Sequence, residues 1–196
     1  TDLINITVSG NAAISAGPDV SICIGDNTTL SASGGVTYDW DDGTGSPGAG
    51  NDFLVSPVTT TTYTVTGTDV NGCSGTDQMT VSMSPVPTVD PIADQTLCAN
   101  TNTADVIFTG SVGSTTFDWT NDLATIGIAG TGSGDITSFT GLNTTAISQT
   151  GTITVTPTAN GCVGAPEVFT ITIDPIPSVN PITSQTLCEG AATVDI

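Results

Sequence analysis

Short runs of alternating apolar and polar residues recur along this chain, divided by clusters of Gly, Pro, Asn and Ser. The runs are Val20-Ser21-Ile22-Cys23, Thr28-Thr29-Leu30-Ser31-Ala32, Val36-Thr37-Tyr38-Asp39-Trp40, Phe53-Leu54-Val55, Thr62-Tyr63-Thr64-Val65-Thr66 and Gln78-Met79-Thr80-Val81-Ser82-Met83. A period of two sends successive side chains to opposite faces of a strand, so each run predicts one face in a core and a Thr/Ser face in water. Tyr38 and Trp40 fall on one face of their run, Thr37 and Asp39 on the other. Turns are expected at Gly25-Asp26-Asn27 and at Asn71-Gly72, and a Gly/Pro/Ser-rich loop spans residues 43–50. No segment carries a helical repeat with caps. The pattern predicts an all-β protein built from antiparallel β-sandwiches.

The pattern repeats. Pro85-Val86-Pro87-Thr88-Val89-Asp90-Pro91-Ile92 and Gln95-Thr96-Leu97-Cys98 return as Pro175-Ile176-Pro177-Ser178-Val179-Asn180-Pro181-Ile182 and Gln185-Thr186-Leu187-Cys188. Within that frame Thr116-Phe117-Asp118-Trp119 matches Thr37-Tyr38-Asp39-Trp40. Asn160-Gly161-Cys162 likewise matches Asn71-Gly72-Cys73, and Val168-Phe169-Thr170-Ile171-Thr172-Ile173 matches the closing strand. Asn-Gly between strand patterns is a hairpin signal, because both residues tolerate positive φ. A long fixed period marks an array of similar modules, each burying its own core. The expected division is a last strand of a preceding module in 1–12 (residues 3–8 alternate), modules at 13–84 and 85–174, and the start of a further module in 175–196. On this reading Thr1 is an interior point of a longer protein. Pro85-x-Pro87 and Pro175-x-Pro177 predict extended, semi-rigid linkers, since proline fixes φ and lacks a donor.

Composition then removes whole classes of function. The chain has no Lys, Arg or His against 19 acidic residues, a net charge of −19. Nucleic-acid binding depends on basic side chains neutralising phosphates. Anionic lipid surfaces need the same side chains. The partners left are cations, neutral glycans and uncharged protein surfaces, including neighbouring modules. Disorder is the other consequence of excess acid. It is disfavoured by a hydrophobic fraction of 37% and a mean hydropathy of +0.21. No apolar stretch is long enough to span a bilayer, so direct membrane insertion is not expected.

Five cysteines are present. Two pairs fall inside the expected modules, Cys23 with Cys73 and Cys98 with Cys162, and both are expected as disulfides. Cys188 repeats Cys98, so its partner is expected beyond Ile196. Metal ligation is the weaker reading, with no C-x-x-C pair and no His to complete a set. Disulfides place the protein in an oxidising, extracellular compartment.

Without His or Lys, general acid–base chemistry falls to carboxylates, Tyr and Cys, and a Ser nucleophile has no base to activate it. No enzyme activity is expected and no catalytic residue is assigned. The candidate metal site is Asp39, Asp41 and Asp42, with Asp69 and Asn71 approaching from a neighbouring hairpin; carboxylates of this kind suit Ca²⁺, the one candidate cofactor. A solvated acidic turn is the stronger alternative. Asp118, Asn121 and Asp122 form a weaker version in the second module. Asn5, Asn27 and Asn143 open N-x-T sequons, which arise by chance in a Thr-rich chain. Trp40 and Trp119 are expected in the core rather than stacked on sugars.

Tyr38-Asp39-Trp40-Asp41-Asp42-Gly43 and Thr62-Tyr63-Thr64-Val65-Thr66 resemble strand motifs of PKD-like (polycystic-kidney-disease-type) modules. Cys…Trp…Asn-Gly-Cys, followed by a strand and Pro-x-Pro, resembles the PKD-like and Ig-like repeats of large surface adhesins in gliding bacteria, often type IX secretion substrates. The first module departs from the PKD pattern in having no aromatic between Asp41 and Asp42. Asn71 and Asn160 stand where an antibody-type tyrosine corner would need Tyr. The resemblance implies a stalk or filament segment of an extracellular surface adhesin, a semi-rigid spacer in adhesion or gliding. The alternatives are a glycan- or protein-binding module using loops 43–50 or 127–134, and a self-assembling filament subunit that donates strand 3–8.

Overall fold

A computed structural model describes residues 10–45, 48–179, 186 and 188–190. Its strands are β1 (Val20–Cys23), β2 (Thr28–Ser31), β3 (Thr37–Asp41), β4 (Gly48–Ala49), β5 (Asp52–Val55), β6 (Thr61–Thr68) and β7 (Ser74–Ser84). They continue with β8 (Gln95–Cys98), β9 (Thr116–Asn121), β10 (Thr131–Ser133), β11 (Gln149–Ala159), β12 (Cys162–Val163) and β13 (Glu167–Asp174). One 3₁₀ turn, Ala124–Ile126, interrupts them, and the described residues include no α-helix.

β1, β7, β6, β3 and β4 form one sheet in that order, and β2 pairs with β5 in a second. Alternation decides what the two sheets bury. Leu30 and Val55 of the small sheet meet Trp40, Tyr63, Val65, Met79 and Val81 of the large one in a single core. Their sequence neighbours Thr29, Asp39, Thr66 and Asp41 are exposed. Trp40 is fully buried and its indole N–H donates to the Gly50 carbonyl, 3.2 Å. On the water face Thr62 and Thr80 join hydroxyls across β6 and β7, 3.1 Å.

β10, β9, β11, β13 and β8 form the next sheet, with β12 on β11. Its two long strands alternate without a break. Ile153, Val155 and Ala159 of β11 and Phe169, Ile171 and Ile173 of β13 are buried, and the Thr residues between them are not. Trp119 is also buried and donates to the Gly134 carbonyl, 3.1 Å, as Trp40 does to Gly50.

The chain therefore folds as successive all-β, Ig-like sandwiches, with one departure from the antiparallel expectation. β1 runs parallel to β7, Val20↔Val81 through Cys23↔Ser84, and β8 runs parallel to β13, Gln95↔Ile171 through Cys98↔Asp174. The two first strands are placed alike. Asp19 accepts from the Thr80 amide ahead of β1, and Asp94 from the Thr170 amide ahead of β8, both at 2.7 Å.

By compactness the chain falls into two units. One comprises Thr1–Pro91, Phe108–Asp118 and Val155–Glu167, the other Ile92–Ile107, Trp119–Thr154 and Val168–Ile196. The first unit thus takes in residues on both sides of the boundary expected at 84/85. The strand expected at 3–8 and most of the further module expected at 175–196 lie outside the described residues.

Candidate functional site

The most distinctive chemistry is a covalent bond between distant parts of the sequence. Cys23 is joined to Cys162, with Cα atoms 5.7 Å apart and a sequence separation of 139. The pairing within each module, Cys23 with Cys73 and Cys98 with Cys162, is therefore corrected. Cys73, Cys98 and Cys188 are free thiols.

Register explains the correction. Cys23 stands across from Ser84, the last residue of β7, whereas Cys73 immediately precedes Ser74, the first. An eleven-residue strand at about 3.3 Å per residue separates them by roughly 35 Å, and a disulfide needs Cα atoms within about 7 Å. Cys98 stands likewise across from Asp174, the last residue of β13, while Cys162 precedes that strand. β1 docks on Val81–Ser84, the end of β7 far from Cys73, and so Cys23 lies at the other pole.

The surroundings of the bond are built from backbone as much as from sulfur. Cys162 follows the Asn160-Gly161 turn, whose two residues have φ of 51° and 81°. Its Sγ lies 3.9 Å from the Ser84 carbonyl oxygen. Two residues on, the Gly164 amide donates to the Pro157 carbonyl, 2.9 Å. A Cβ on Gly164 would stand 1.9 Å from the Pro87 carbonyl oxygen, so only glycine lets the linker approach so closely. Pro87 and Pro157 are fully buried there. Cys23, Ser84, Pro87, Pro157, Cys162 and Gly164 all belong to the first compact unit. The sequence holds a signal for this junction: each hairpin cysteine is followed two residues later by glycine, Gly75 after Cys73 and Gly164 after Cys162.

The four carboxylates of the candidate cation site, Asp39, Asp41, Asp42 and Asp69, are not brought together as one set. Asp39 and Asp41 lie on the exposed face of β3, opposite Thr66 and Thr64. Asp42 follows in a turn, where its Oδ1 accepts from the Thr44 hydroxyl, 2.6 Å, and the Thr44 amide, 2.8 Å. These bonds hold the Asp42 carboxyl below its ordinary value, the hydroxyl first and the amide second. Asp41 accepts from the Gly43 amide, 2.9 Å. Asp69 lies beyond Thr68, which pairs with Thr37 at the opposite end of β3. Its Oδ1 accepts from the Asn71 and Cys73 amides, 2.8 and 2.9 Å, which fixes the hairpin. Among the described residues no three His, Cys, Asp or Glu side chains converge as metal ligands. In the second module Asn121 is buried, with its side chain bonded to the Ala129 carbonyl and the Leu123 amide, and Asp122 accepts from the Thr152 amide.

The loops considered for ligand binding close on the core aromatics. A Cβ on Gly48 would come within 2.2 Å of the Phe53 ring, and one on Gly132 within 2.1 Å of the Trp119 ring. Gly50 and Gly134 accept the two indole N–H bonds. Of the sequon asparagines, Asn5 lies outside the described residues. The Asn143 amide donates to the Ile147 and Ile173 carbonyls, 2.8 and 2.7 Å, so it is occupied in folding the loop.

No family model and no curated protein matches this sequence. Solved structures do match. The I-band fragment I67-I69 from titin aligns with a TM-score of 0.52 and 12% identity, over 86% of this chain and 67% of that one. The three-Ig structure of a variant of the same titin domains, mutated E-to-A, aligns with a TM-score of 0.50 and 12% identity, over 85% of this chain and 67% of that one. At this identity the likeness defines the class by fold alone: tandem Ig-like β-sandwich domains. A disulfide within such a fold belongs to an oxidising compartment.

Proposed function

We propose that this chain is a structural segment, modules 13–84 and 85–174, of the stalk of a large extracellular bacterial surface adhesin. It acts as a semi-rigid spacer that carries an adhesive end away from the cell. The observation that carries this reading is the Cys23–Cys162 junction: sulfur, a buried linker proline and a glycine-shaped backbone contact reinforce the point where one module gives way to the next. A spacer needs stiffness at such points, and a ligand-binding module does not.

Two further features favour a spacer. The loops that would recognise a glycan are bonded to Trp40 and Trp119. The strands at the sheet edges are short, with β1 and β8 of four residues, β4 of two and β10 of three. Short edges discourage strand-to-strand polymerisation. The bacterial setting rests on the motif resemblance given above.

The reading is tested by applying the chain to a glycan array and by labelling intact source cells with antibodies raised against it. Surface labelling without saturable glycan binding is the expected result. Micromolar saturable binding that an alanine scan of 127–134 abolishes would overturn the spacer reading, and labelling confined to permeabilised cells would overturn the surface location.

A further inference from the structure

We infer that Cys73 and Cys98 are two halves of further inter-module disulfides, Cys73 bonding to a preceding module and Cys98 to a following one, so that successive modules form a covalent ladder. This rests on the reading that further modules of the same kind flank the two described.

Cys98 reproduces the Cys23 half of the existing bond. Both end a first strand, both stand in parallel register with the last residue of a closing strand (Asp174 and Ser84), and each closing strand leads directly into Pro-x-Pro. Cys98 is exposed and a thiol.

Cys73 reproduces the Cys162 half. Each follows Asn-Gly and precedes x-Gly. A Cβ on Gly75 would stand 2.0 Å from the Ala12 carbonyl oxygen, as one on Gly164 would stand 1.9 Å from that of Pro87. The residues after these match too: a Cβ on Gly34 would meet the Ala13 carbonyl oxygen at 2.0 Å, and one on Gly110 that of Thr88 at 1.9 Å. The chain thus enters both sandwiches along the same track, past the hairpin that bears the cysteine. A module ahead of residue 10 that repeats this ending would bring its own first-strand cysteine to Cys73, as Cys23 is brought to Cys162.

Each new bond joins two Sγ atoms. Two protons leave, and two electrons pass to a disulfide oxidant such as oxidised glutathione, which is reduced to two thiols. The ladder changes how the array carries load. Between Cys73 and Cys98 the covalent route is only 25 residues, through β7, the Pro85-Val86-Pro87 linker and β8. Tension then passes along strands that are already extended, and most of each module lies outside the loaded path.

The test keeps the whole chain and completes its third module. Ile196 falls 90 positions after Val106, so residues 107–174 appended after Ile196 continue the repeat in phase. After refolding in a glutathione redox buffer, free thiols are alkylated, and the chain is cut with pepsin at acid pH, since trypsin has no site. Mass spectrometry then identifies the linked peptides. The expected map is Cys23–Cys162 together with Cys98 bonded to the appended copy of Cys162, and alkyl label on Cys73 and Cys188. Cys98→Ser should convert the appended cysteine from unlabelled to fully labelled. Cys98 recovered labelled beside an appended module that circular dichroism shows folded would overturn the ladder and leave the spacer reading intact. If the appended module does not fold, the unextended chain decides: labelling of Cys73 and Cys98 with Cys23 and Cys162 protected supports the inference, and protection of Cys73 through a bond to Cys23 overturns it.

Discussion

Removing the Cys23–Cys162 bond by Cys23→Ser should weaken the first sandwich by about 4 kcal/mol. When that sandwich unfolds alone, the linker at Pro87 stays packed on Gly164 of the hairpin carrying Cys162, so the bond closes a loop of about 64 residues, from position 23 to position 87. Loop closure in the chain-entropy account costs the unfolded state about 3 kcal/mol for 15 residues and about 4.7 for 100, which puts this loop slightly above 4. Unfolding of the whole chain closes 139 residues and raises the figure only to about 5 kcal/mol, because the dependence is logarithmic. For a domain of this size about 4 kcal/mol corresponds to roughly 15–30 °C in Tm. Urea titrations followed by tryptophan fluorescence, with Trp40 reporting the first core, should show the midpoint falling with little change in slope. Reductant should reproduce the loss in the parent chain and do nothing further to the variant. Cys73→Ser serves as the counter-test: it should leave the midpoint unchanged, since Cys73 is a thiol. A stable Cys23→Ser chain would refute the loop-closure reasoning, and a Cys73→Ser chain destabilised by a similar amount would refute the pairing in favour of Cys23 with Cys73.

Four other outcomes follow. Gly164→Ala and Gly75→Ala should each cost about 1–3 kcal/mol, because the added methyl meets a carbonyl oxygen at 1.9–2.0 Å; Gly113→Ala, which meets nothing within 4 Å, should be neutral in the same melts. The Asp77 carboxyl is held below its ordinary value by the Ala16 amide first and the Gln78 amide second. A depressed folded value gives stability that is present above the unfolded value near pH 4 and lost as pH falls through the folded one, so the stability gap between parent and Asp77→Asn should be present at pH 6 and vanish in strong acid; a gap that grows on acidification would refute it. With Asp69 apart from Asp41 and Asp42, Ca²⁺ and Mg²⁺ at matched ionic strength should give the same Tm, while added NaCl should raise it by screening a charge of −19; a rise of several degrees for Ca²⁺ alone would restore the cation site. Pulled end to end in single-molecule force experiments, the oxidised chain should withhold the residues between Cys23 and Cys162, and reduction should add about 490 Å of contour, that is 139 residues at about 3.5 Å each.

Alternation of side chains is a local property, and it was enough to place β1, β2, β3, β5, β6, β7, β9 and β13 and to identify Trp40, Val65, Phe169 and Ile171 as inward-facing. The 90-residue echo was enough to show that the design recurs. Short strands inside Gly-rich loops, β4 and β10, carry too few residues to show a period, and their partners are set by aromatic rings packing on Gly48 and Gly132. The approach of Asp69 to Asp41 and Asp42 was not legible because closeness in sequence from Asp39 to Asp42 says nothing about Asp69, which register sends to the other end of β3. Cysteine pairing was decided the same way. Nothing within a few residues of Cys23 states that β1 docks on the Val81–Ser84 end of β7 and not on the Ser74 end, yet that placement chooses between poles roughly 35 Å apart. The sequence by itself determined most strands and their inward faces, which follow from neighbours one or two residues apart, and repetition, which shows when the chain is compared with itself 90 residues on. Only the tertiary structure decided which sulfur meets which, because that depends on where a short strand docks along a partner some sixty residues away.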